Sequence, residues 1–199
     1  MLENKSKPWV IRNDDVLVVN PITGSMKNSL RSGNTFFDWF KITDKIMEEN
    51  NVHCILSVLA EGIEVYPEWV EYIKERKNRF KIEMHGWDHS YPHGMTESQG
   101  YDILKRARDK IEDAFDIEVT HWYVPNGRLY FPDWGPGVCQ KLGIQFNSKG
   151  DVRDYYQWHM HYWNTRDQLR LKRIIDDKRF IYPVTQETDL TCPPVLVAK

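Results

Sequence analysis

At 199 residues the chain has room for one domain with a substantial core, and it is too short for two of ordinary size. Its 27 Lys and Arg against 29 Asp and Glu leave a formal net charge of -2, so no basic field favours a nucleic acid as partner. Cys54, Cys139 and Cys192 are widely separated and form no CxxC pair, which argues against a cysteine zinc site and a disulfide framework.

In chain order, apolar runs alternate with amphipathic stretches. Residues 9–14 read as a first strand and 16–19 as its continuation, and Phe36, Phe37, Phe40, Ile42, Ile46 and Met47 recur at helical spacing over 36–50. Residues 52–60 form a near-continuous apolar run of strand length, as in a strand covered on both faces. A helix over 67–78 and an alternating strand over 80–84 follow, the latter ending at His85. Thr96 and Gln99 have capping-box spacing and open a helix to Phe115, with Ile103, Leu104, Ala107, Ile111 and Ala114 as its inner stripe. A strand over 121–124 is halted by Pro125, Asn126 and Gly127. Next come a helix over 134–142, a strand over 144–147, a strand over 155–161, a helix over 166–177 and a strand over 180–184. The tail after Thr185 reads as a surface strap. The alternation predicts an α/β fold with a mostly parallel sheet, doubly wound or closed as a barrel, with chemistry gathered at the carboxyl ends of its strands.

Several reactive side chains fall at such ends. Asp14 and Asp15 close the first strand, and His85 and His89 stand four apart after another. One aspartate and two neutral imidazoles supply three N/O ligands for a zinc-like cation and leave a fourth position open, the pattern of catalytic sites. The second aspartate is then free to serve as a base. Taken alone, the Asp pair reads equally well as an Asx-type turn, and it is the histidines that tip it toward a site. Asp88 makes the segment HxxDH, but Gly86 and Trp87 directly after a strand oppose a helix start, so Asp88 reads as a loop cap or a support to the ligands. His93 reads as loop surface, and His53 and His121, at strand beginnings, read as structural.

These residues resemble the polysaccharide deacetylase family, also called NodB homology or carbohydrate esterase family 4. The similarity spans about residues 9–184 and implies a single domain over 1–199, a distorted (β/α) barrel of about seven parallel strands. It also implies metal-dependent removal of an acyl group, N-acetyl above all, from an amino sugar or polysaccharide. By this resemblance Asp14 is the general base, Asp15, His85 and His89 are the metal ligands, and His159 or His161 is the general acid. The metal it implies is Zn²⁺, with Co²⁺, Ni²⁺ or Mn²⁺ as alternatives. The turn at Pro125 and Asn126 matches the family's oxyanion position. Trp87, Tyr91, Trp158 and Trp163 lie beside the motifs, and each reads first as core packing and second as a surface for a sugar ring.

Three departures stand out. The family's third motif begins with an arginine that orients the catalytic aspartate, whereas Tyr123 or Val124 occupies that place here, leaving Arg12 or Arg128 as substitutes. Gly86 follows His85 in place of a small hydroxyl residue. The sequence contains no leader-like or membrane-spanning apolar segment and reads as cytoplasmic. This last feature keeps a small acylated metabolite open as substrate, and the altered motif keeps a non-catalytic, carbohydrate-binding descendant open. The sequence does not set the oligomeric state.

Overall fold

A computed structural model describes residues 9–19, 35–90, 92–125, 132–147, 156–160 and 165–176. Among them, six strands form one sheet: β1 (Trp9–Val16), β2 (Cys54–Leu59), β3 (Phe80–Gly86), β4 (His121–Tyr123), β5 (Gln145–Asn147) and β6 (Tyr156–Met160). The order is β5-β4-β3-β2-β1-β6 and each pairing is parallel. Strands β1 to β5 therefore step in one direction only. Right-handed crossovers then lay the connecting helices on one face of the sheet, and the sheet must curl to cover the other face. With β6 returning to the far side of β1, the strands follow the order of a (β/α) barrel. Among the described residues β5 and β6 are not paired, and the strand expected over 180–184 lies outside them, as does the tail.

Helices α1 (Phe36–Glu49), α2 (Gly62–Val65), α3 (Pro67–Lys74), α4 (Glu97–Phe115), α5 (Gly135–Leu142) and α6 (Thr165–Asp176) fill the connections. The capping box expected at Thr96 is present: its hydroxyl accepts from the Gln99 amide while the Gln99 side chain accepts from the Thr96 amide. A second one, Thr35 with Asp38, starts α1. Two expectations need correction. The helix read over 67–78 stops at Lys74, with turns after it, and the short helix α2 was not foreseen. The apolar run 16–19 does not continue β1, because Leu17 adopts a φ of 64° and the chain turns there, closed by the Val18 amide donating to the Asp15 carbonyl.

Strand alternation separates two environments. Cys54, Leu56, Val58, Phe80, Ile82, Met84 and Trp122 join the buried apolar cluster beneath the helices. The intervening positions, including Arg12, Asp14, Ser57, Glu83, His85 and His121, are buried polar residues on the opposite, inner face. This polar lining is what the site is built from. Among the described residues no helix is long and apolar enough to cross a membrane.

Candidate metal centre

On a regular strand Asp14 and Asp15 would point to opposite faces. Arg12 and Asp14 do share the inner face, two residues apart, and the guanidinium grips the carboxylate with both prongs: Nε donates to Oδ1 at 2.5 Å and Nη2 to Oδ2 at 2.7 Å. Both residues are buried. Asp15 joins them because β1 is irregular there. Its pairing with β2 shifts register between Asn13 and Val16, and Asp15 itself has a φ of 59°, a left-handed conformation that Asp tolerates better than most residues. A bulge of this kind re-aims a side chain, and the Asp15 carboxylate lands beside β3.

His85 Nε2 and His89 Nε2 lie 3.2 and 3.1 Å from the same oxygen, Asp15 Oδ1. His85 is the penultimate residue of β3, so a strand fixes it, while His89 comes from the turn that follows. Gly86 between them has a φ of 146°, and its carbonyl accepts from the Ala60 amide. A hydroxyl residue at that position would be strained, which accounts for the glycine. Asp88 caps this turn by accepting from the Ser90 amide at 2.9 Å, as a loop cap should.

The chemistry of His85 defines what the cluster can bind. Its Nδ1 lies 2.5 Å from the Tyr123 carbonyl oxygen, which can only accept, so Nδ1 carries the proton and the neutral ring presents a lone pair at Nε2. That atom is buried without a hydrogen-bond partner and faces a carboxylate oxygen. Two acceptors at this distance repel unless a cation or a proton lies between them. Asp15, His85 and His89 offer one ligand atom each, all within 4.8 Å of one another, a donor set that fits a divalent metal with an open position. Burial pulls the pKa of His89 down, but Asp15, with Asp14 behind it, outweighs burial and leaves it above the ordinary value.

The remaining expected residues are distributed as follows. The β6 backbone places His159 opposite Arg12, its register partner on β1. Pro125 is buried in the turn after β4. Trp87 is half-buried, packs against the core and has the Arg106 guanidinium over its ring at 3.5 Å, so that face is covered. Asn126, Arg128, His161 and Trp163 lie outside the described residues.

Residues 38–146 match the family profile described as polysaccharide deacetylase. The chain belongs to this family. Solved structures agree on the fold. A CE4 family pseudoenzyme from Bacillus anthracis is 12% identical, with a TM-score of 0.63, 86% of this chain covered and 60% of that one. A polysaccharide deacetylase from Bacillus cereus is 9% identical with a TM-score of 0.64, covering 92% and 94%. A family 4 carbohydrate esterase from Streptomyces lividans, solved with acetate, is 13% identical with a TM-score of 0.60, covering 88% and 91%. The chain thus spans about three fifths of the pseudoenzyme's length and nearly all of the other two. No curated protein matches it.

In this polysaccharide deacetylase chain an arginine from outside the third motif contacts Asp14. Arg12 holds Asp14 from the same strand, and Tyr123, which stands near the motif arginine's usual place, lies under the guanidinium with 4.4 Å from Cζ to the ring centroid. Sequence reasoning offered Arg12 only as one of two substitutes and gave Tyr123 no role. Arg12 carried a readable signal, the two-residue spacing to Asp14, but the part played by Tyr123 depends on which strands the fold makes neighbours.

Proposed function

We propose that this chain is a metal-dependent hydrolase that removes an acyl group, N-acetyl foremost, from an amino sugar or polysaccharide. The observation that carries the reading is the convergence of Asp15, His85 and His89 beside an Asp14 clamped by Arg12. Asp15, His85 and His89 would hold a divalent cation, Zn²⁺ by preference. Such an ion polarises an acyl carbonyl as a Lewis acid and makes bound water more acidic.

Asp14 takes the proton from the attacking water. Its two oxygens are fixed by the Arg12 fork, which orients the carboxylate for that task. The backbone N–H of Asn126, the residue that follows Pro125 in the sequence, is assigned the developing oxyanion by the resemblance to the family. An imidazole returns a proton to the departing amine. The register of β6 supports His159, whose backbone stands opposite Arg12, and His161 is the other candidate. Trp163 and the face of Trp87 not covered by Arg106 are the surfaces proposed to meet the sugar.

Acetate release from N-acetylglucosamine oligomers of increasing length tests this reading. Purified protein loaded with zinc is expected to release acetate, and Asp14→Asn is expected to lower kcat by about a hundredfold or more. Rates rising with chain length would identify a polymer substrate, and rates indifferent to length a small acylated metabolite. No acetate at any length, with zinc bound, would contradict the deacetylase reading.

A further inference from the structure

We infer that Tyr123 is a positioning residue that aligns the base and one metal ligand together. Two different parts of this residue act on the site. Its carbonyl oxygen fixes the His85 ring through Nδ1 at 2.5 Å, and its aromatic face carries the Arg12 guanidinium that grips Asp14. Tyr123 is fully buried, which strengthens a cation resting on its ring.

The residue is itself anchored from below. Its ring stacks against His121, with centroids 6.1 Å apart and planes 29° apart. The backbone of His121 and both the amide and the hydroxyl of Thr120 donate to the buried carboxylate of Glu83. Glu83 and His85 lie on the same strand and face, so β3 both holds the anchor and supplies the ligand. An arginine resting on an exposed or mobile ring would not fix a carboxylate. Here the ring is stacked against His121, and the guanidinium presents both prongs to Asp14.

The inference rests on Asp14 acting as the base. Its test compares wild type, Tyr123→Leu, Tyr123→Phe and Arg12→Lys, each loaded with zinc. Zinc content, and kcat and KM on an N-acetylglucosamine oligomer, are read on every sample, and the NMR signal of the Arg12 Nε proton on the three that keep Arg12. Substitution at 123 keeps the backbone carbonyl, so zinc content should hold. Tyr123→Leu and Arg12→Lys should lose roughly a hundredfold in kcat from misalignment with KM little changed. Tyr123→Phe, which keeps the ring, should recover most of that loss. The Arg12 Nε proton should exchange slowly in wild type and Tyr123→Phe, and move downfield and exchange faster in Tyr123→Leu.

Unchanged kcat in folded Tyr123→Leu, or no rescue by Tyr123→Phe, would overturn the inference. If Tyr123→Leu does not fold, a rapidly exchanging Arg12 Nε proton in wild type would overturn it equally. An inactive wild type with a slowly exchanging Arg12 signal that responds to Tyr123→Leu would support the clamp while counting against the deacetylase reading.

Discussion

The buried Arg12 and Asp14 pair is the part of the site whose energetics are most open to measurement. Breaking such a pair by removing one partner leaves an uncompensated buried charge and typically costs about 3–5 kcal/mol. Arg12→Met should therefore lower stability by that order in urea denaturation, and Arg12→Met combined with Asp14→Asn should recover part of it. If the single variant were as stable as wild type, the pair would not be clamped as described. At this scale the sequence was informative about donors. Two carboxylates and two imidazoles near strand ends supply the donor types that a divalent metal takes. It could not give their aim, because alternation sends Asp14 and Asp15 to opposite faces and only the left-handed Asp15 brings both to one place.

At the scale of elements, the end of β1 is shaped by what packs on it. A Cβ added to Gly62, at the start of α2, would fall 1.9 Å from the Leu17 carbonyl oxygen, a backbone atom that cannot swing aside. Gly62→Ala must displace the segment two residues after Asp15. It is expected to cost about 1–3 kcal/mol in thermal or urea unfolding, as overpacking does, and to weaken metal binding measured by titration calorimetry. Wild-type metal affinity in a destabilised Gly62→Ala would mean the bulge holds its own shape. Val16, Leu17, Val18 and Val19 carry strand-like side chains and no breaker, so the turn where Leu17 packs on α2 has no local signal. The helices were more legible, since capping boxes and apolar stripes are local. Another tertiary tie that the sequence hid joins three elements: Asp44 of α1 accepts from Tyr72 of α3 and pairs with Arg79 just before β3.

For the molecule as a whole, the fold places helices and apolar residues outside the sheet and a polar layer inside it. That layer makes stability depend on acid. Burial pushes the Glu83 carboxyl up, but the bond from His121, the Lys81 charge and the Thr120 hydroxyl more than reverse it, leaving the pKa lowered. A carboxylate with a lowered folded pKa contributes stability that is present above its unfolded value, near 4.5, and lost as pH falls through the folded one. Glu83→Gln should be less stable than wild type at neutral pH, with the gap narrowing on acidification below about 4.5. A gap that stays constant with pH would contradict this assignment. Alternation of strands and helices made the parallel sheet legible, and the barrel order follows from β6 pairing with β1, a contact between distant parts of the chain that no local pattern encodes. The measurement that bears most directly on the account is bound metal by elemental analysis in wild type, Asp15→Asn and His85→Ala. Asp15→Asn retains a side chain that tolerates the left-handed backbone, so it separates lost ligation from lost shape. Near-stoichiometric zinc in wild type and its loss in both folded variants is the predicted result. Wild type without metal after reconstitution, or variants that keep it, would contradict the site.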